Sequence, residues 1–168
     1  GASGQGNLIS GNGGAGIAVV APATVIKIQS NFIGTSADGE SAVGNDTGVE
    51  IGLSGGTVSV LIGGSLYGEG NLVSGNHGEG LLLYSHAQVA GNRIGMDQSG
   101  LNELPNGGDG ILIKGDNNLI GTPHEPNVIA HNGGHGVAVI TESGSAGHNA
   151  LSGNNIWDNG KLGISLGW

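Results

Sequence analysis

Asn71-Leu72-Val73-Ser74-Gly75-Asn76-His77-Gly78-Glu79-Gly80-Leu81-Leu82-Leu83 is a unit that the chain repeats. Its outline is an Asn, two apolar residues, two small or polar residues, a second Asn, then x-Gly-x-Gly and an apolar run. The outline returns at Asn7 to Val19 (NLISGNGGAGIAV) and at Asn127 to Val139 (NVIAHNGGHGVAV). A frayed copy stands at Asn154 to Leu166 (NNIWDNGKLGISL), with Asn159 in the second Asn place and Gly163 in the last Gly place. Finding a period comes before any local reading, because a missed repeat misassigns the whole fold.

The Gly that precedes an apolar run marks each copy: Gly16-Ile17, Gly48-Val49, Gly80-Leu81, Gly110-Ile111, Gly136-Val137 and Gly163-Ile164, at intervals of 32, 32, 30, 26 and 27 residues. Apolar positions alternate after each marker, as in Ile17 and Val19, Leu81 and Leu83, or Ile111 and Ile113. Period two means a strand with one face buried. Second strands are expected around Ile26 to Ile28, Val58 to Ile62, Val89 to Ile94 and Leu119 to Ile120, and third strands at Leu72-Val73 and Val128-Ile129. A turn of two or three such short strands buries nothing alone and must stack on its neighbours. The expected fold is all-β, a right-handed parallel β-helix of about six coils. Residues 1–168 are read as a single domain, and as a piece of a longer repeat protein.

Asn residues fall in two columns. Asn12, Asn45, Asn76, Asn106, Asn132 and Asn159 stand four or five residues ahead of the marker strands, and Asn7, Asn31, Asn71, Asn92, Asn118 and Asn127 form a less regular second set. An Asn at a bend tolerates unusual dihedrals, and like Asn residues one coil apart can hydrogen-bond in a ladder. Thr35 to Val43 and Met96 to Leu104 occupy matching insertions, read as loops on one side.

Composition narrows the function. Gly numbers 38 of 168 residues without a Gly-X-Y period, which excludes collagen, and aromatics are only 3%, so the core is aliphatic. Four Lys and Arg against 13 Asp and Glu give a net charge of −9. That balance argues against nucleic acid, and against a polyanion unless a metal intervenes. No Cys is present, so disulfides and thiolate chemistry are excluded. No apolar run is long enough to span a membrane.

The pattern N-φ-φ-x-x-N-x-x-x-G-φ-x-φ resembles the right-handed parallel β-helix repeats of carbohydrate-binding proteins and sugar hydrolases. The alternation of NFIGTSADGESAVGN with NLVSGN resembles bacterial exported or cell-surface β-helix proteins. The resemblance implies a secreted or cell-surface location and a polysaccharide or protein partner. It does not choose among lyases, hydrolases, epimerases and adhesins, which share the architecture.

Two residues ahead of the markers stand Ala15, Thr47, Glu79, Asp109, His135 and Leu162. Stacking would place Glu79, Asp109 and His135 on successive coils, with Glu50, Tyr84 and Lys114 projecting nearby. Two close carboxylates are the apparatus of glycoside chemistry, and Lys114 or Tyr84 would be a lyase base. The competing reading is that residues beside a bend are polar because they are wet. Calcium is considered because Gly-Gly-x-Gly runs begin at Gly13, Gly107 and Gly133, but the Asp of the nonapeptide motif is replaced by Ala18, Leu112 and Ala138. No Asp-Asp or Asp-Pro-His occurs to name a glycosidase or epimerase.

Outward positions of the marker strands read Ala18, Glu50, Leu82, Leu112, Ala138 and Ser165. So apolar a face suggests a contact surface. For stacking on sugar rings the candidates are Tyr67, Tyr84, Trp157 and Trp168, and Trp168 could instead cover the last coil. Unpaired strands at the ends of the stack predict end-to-end or homo-oligomeric packing. The leading expectation is a non-catalytic recognition module. The alternative is a polysaccharide-active enzyme using Glu79, Asp109, His135 and Lys114.

Overall fold

A computed structural model describes residues 6–20, 25–52, 59–140 and 147–167. In chain order the strands are β1 (Leu8–Ile9), β2 (Ala15–Val19), β3 (Val25–Ile28), β4 (Phe32–Ile33), β5 (Thr47–Ile51), β6 (Ser59–Gly63), β7 (Leu72–Val73), β8 (Leu81–Leu83) and β9 (Ala87–Ala90). They continue as β10 (Arg93–Ile94), β11 (Ile111–Ile113), β12 (Leu119–Ile120), β13 (Val128–Ala130), β14 (Val137–Val139), β15 (Ala150–Leu151), β16 (Asn155–Trp157) and β17 (Ile164–Leu166). No helix occurs among the described residues.

Every third strand joins the same sheet. Sheet I is β1-β4-β7-β10-β13-β16, sheet II is β2-β5-β8-β11-β14-β17, and sheet III is β3-β6-β9-β12-β15. Each named strand pairs in parallel with the strand one turn on. The chain is a three-sided parallel β-solenoid of about five turns, where six coils were expected. All six marker runs lie in sheet II, and six strands in one sheet bound only five complete circuits.

Alternation places one side chain of each pair inside. Ile33, Val73, Ile94 and Ile129 from sheet I meet Val49, Ile51, Leu81, Leu83, Ile111 and Ile113 from sheet II, and Val60, Ile62, Val89 and Ile120 close the third side. All are buried. The run Val89 to Ile94, expected as one strand, is two. Gly91, at φ 69°, turns the chain between β9 and β10, and Asn92 follows it as a ladder residue. Val58 and Trp168 lie outside the described residues.

The ladders hold the corners. Between sheets I and II, Asn12, Asn45, Asn76, Asn106 and Asn132 each donate Nδ2–H to Oδ1 of the next Asn, ending at Asn159, over 2.8 to 3.0 Å. Between sheets III and I the series is Asn7, Asn31, Asn71, Asn92, Asn127 and Asn154. Asn118 belongs elsewhere: it sits between sheets II and III, donates to Asn149 and accepts from the Ala87 N–H. In the second ladder Asn154 takes the last place. Buried amides are tolerable because their polar atoms find partners: Asn92 Nδ2, for example, also reaches the carbonyls of Ile62 and Ala90.

Corner lengths alternate. Long connections between sheets I and II span 34–46 and 95–110, on the coils of β4 and β10. Long connections between sheets III and I span 64–71 and 121–127, entering β7 and β13. The structural period is therefore two coils, with projections first on one side of sheet I and then on the other.

Candidate functional site

The outer face of sheet I is the floor of an elongated groove. In strict register its outward residues are Leu8, Phe32, Leu72, Arg93 and Val128. Parallel strands lie about 4.8 Å apart, so this column runs roughly 19 Å along the solenoid axis. One wall is built by the long corners between sheets I and II, through Ala37 and Gln98, and the other by Ser30, Tyr67, Gly68 and Pro126. The cavity volume is about 810 Å³, within the range of ligand sites.

The first wall is ordered by its own hydrogen bonds. Asp97, 3% exposed, accepts from the Ser99 hydroxyl, the Gly100 N–H and the Asn102 side-chain amide. The Asn102 amide, with Ser99 and backbone N–H groups, holds the Asp97 carboxyl well below the usual carboxylate range. Asp38 does the same in the other loop, where the Ser36 hydroxyl and the Glu40 N–H lower its pKa. The two loops join across the coil between them, since the Gln98 N–H donates to the Gly39 carbonyl at 3.0 Å. Gly39, at φ 73°, has no room for a side chain: a Cβ there would lie 2.9 Å from Leu72 Cδ2. The joined loops thus lie against Leu72, which is buried despite its outward place.

Arg93 stands in the floor, between Leu72 and Val128. Its guanidinium lies against Gly100, and Nη1 donates to the Gln98 carbonyl. No carboxylate among the described residues forms an ion pair with it. Among the described residues no acidic residue lines the groove, and of the four basic residues only Arg93 does. Opposite it Tyr67 is 90% exposed, while Phe32 is half-buried in the floor.

Sheet II carries the candidates expected from sequence. Glu79, Asp109 and His135 do stack coil on coil, their carbonyls accepting from the N–H groups of Gly48, Gly80 and Gly110. Two side chains of this column turn along the stack. Asp109 Oδ1 accepts the His135 N–H at 2.6 Å, and His135 Nδ1 accepts the Leu162 N–H at 3.1 Å. Tyr84 and Lys114 follow the far ends of the same strands, where their N–H groups reach Ile51 and Leu83. Five residue steps separate Asp109 from Lys114 and Glu79 from Tyr84, up to about 16 Å. Glu50 lies between Ala18 and Leu82 on the outer face, half-buried. None of these six lines the groove. Among the described residues no group of three or more His, Asp or Glu side chains could hold a metal ion.

Of the expected stacking aromatics among the described residues, only Tyr67 lines the groove; Trp157 is 41% exposed on β16 and Tyr84 is half-buried. The sequence reading missed the floor. The residue just after each Asn of the second ladder supplies it, and Arg93 in place of an apolar residue is the visible signal. No protein family, curated protein or solved structure significantly matches this chain. No helix of the described residues is long and apolar enough to cross a membrane.

Proposed function

We propose that this chain is a non-catalytic recognition module of an exported bacterial protein, secreted or at the cell surface, and that it holds an extended polysaccharide along the sheet I groove. One observation carries the reading: the groove follows the axis across five strands of sheet I, with Phe32 in its floor and Tyr67 on its wall. A polymer engages such a trough residue by residue, and aromatic faces are the usual platforms for sugar rings.

The enzymatic reading keeps Glu79, Asp109, His135 and Lys114 as its candidates, with a metal such as calcium supplied from outside. A single experiment separates the two. Wild type and Asp109→Asn are titrated against acidic and neutral polysaccharides, with reducing ends and unsaturated products followed. Binding without turnover is expected. Cleavage that disappears in Asp109→Asn would overturn the recognition module and install the enzyme.

A further inference from the structure

Resting on the glycan reading of the groove, we propose that its ligand is a sparsely acidic oligosaccharide: one carboxylate-bearing sugar flanked by neutral sugars, with the carboxylate received by Arg93.

The charge distribution supplies the first reason. A chain of net charge −9 places its only arginine in the groove and, among the described residues, keeps every acid out of the lining. An isolated cation in an acidic protein is a local minimum for a single anion, whereas the rest of the surface repels a dense polyanion. The second reason is the guanidinium itself. It offers five N–H donors in a planar fork, and one of them is engaged by the Gln98 carbonyl while the plane lies against Gly100. The loop thereby fixes its plane and leaves donors for a carboxylate, which pairs with Arg in bidentate fashion.

Spacing gives the third reason. An extended glycan advances by about one sugar per strand spacing when laid along the axis. The sugar on one side of the one at Arg93 would then meet Val128, its in-register neighbour, while Leu72 on the other side is buried beneath the joined loops. Val128 cannot compensate a charge, and an unpaired carboxylate held against apolar side chains is costly. Uronates at every position are thus disfavoured, while neutral sugars there lose nothing. Tyr67 projects from the opposite wall to take the face of one of these neutral rings.

The test is calorimetric titration of the full chain with three probes of equal length: an oligosaccharide alternating glucuronate with a neutral amino sugar, a neutral cello-oligosaccharide, and an oligogalacturonate. The alternating probe is expected to bind most tightly. Arg93→Met should weaken it on the order of tenfold to a hundredfold, the range for hydrogen bonds to charged groups, and leave the neutral probe unchanged. Arg93→Lys should recover part of that loss, since charge returns without the fork. Should Arg93→Met not fold, the wild type still decides, because added salt must weaken the alternating probe and not the neutral one. Equal weakening of both probes by Arg93→Met, no effect of salt, or tightest binding of the oligogalacturonate would overturn the acidic assignment while leaving a glycan groove. Failure of all three to bind would remove the glycan reading as well.

Discussion

The bend column ahead of sheet II and the floor column of sheet I contrast polar residues put to opposite uses. At the bend, Asp109 and His135 spend their side chains on backbone N–H groups of the next coil. On the floor, Arg93 is tethered at one N–H and meets no carboxylate among the described residues. The difference teaches that vertical stacking of carboxylate and imidazole does not by itself make a site. A bend leaves donors facing along the axis, and a polar side chain there is the nearest acceptor. A strand places its outward side chain perpendicular to the sheet, where the stack has no claim on it.

The contrast predicts four outcomes. The largest effect is expected from Asn106→Leu in the corner ladder, which leaves the Asn76 N–H and Nδ2 without their acceptor and strands other buried polar groups. At about 1–3 kcal/mol for each orphaned group, roughly 3–5 kcal/mol of stability should be lost in urea unfolding. Next, Tyr67→Ala should weaken the preferred glycan by about tenfold, in keeping with the energy of an aromatic contact, while stability moves by less than about 0.5 kcal/mol, as for most exposed positions. A matching loss of stability would make Tyr67 a structural residue like those of the bend.

Asp109→Asn tests the other column. It takes the charge from the bond that the His135 N–H donates to Oδ1 and should cost about 1 kcal/mol of stability with glycan affinity unchanged in the same titration. A change in affinity without a change in stability would place function at the bend. The smallest effect concerns pH. Because the folded Asp97 carboxyl titrates below its unfolded value, its contribution is complete above the ordinary carboxylate range and fades as pH falls through the folded value. Hydrogen exchange at the Gly100 and Leu101 amides should therefore show full protection, after correction for intrinsic rates, at pH 5 to 7, with loss only in strong acid. Loss already between pH 6 and 5 would mean that Asp97 does not organise the wall.

Much of this fold was legible because Gly and Asn recur with so little variation. Gly80, Gly110 and Gly136 mark sheet II, and Asn76 and Asn106 do lie in adjoining layers. The boundary at Gly91 was less legible, since Val89 to Ile94 reads as one strand and only the ladder role of Asn92 divides it. Asn118 fitted the second column by spacing alone, yet spacing does not say which of three corners a residue occupies. The groove was harder still. Tyr67 stood out as a rare aromatic, and the loops at 35–43 and 96–104 were recognisable as insertions. That they bond to one another through Gln98 and Gly39, across a whole intervening coil, depends on a fold in three dimensions and leaves no local trace.

The alternation of long corners carries a consequence for how such a molecule grows. Duplicating a single coil would set two projections on the same side and leave a gap opposite. Duplicating a pair repeats both rims in order and lengthens the trough by a fixed step, roughly twice the 4.8 Å strand spacing. Selection acting on ligand length would thus see even steps only, and the solenoid would behave as a ruler graduated in pairs.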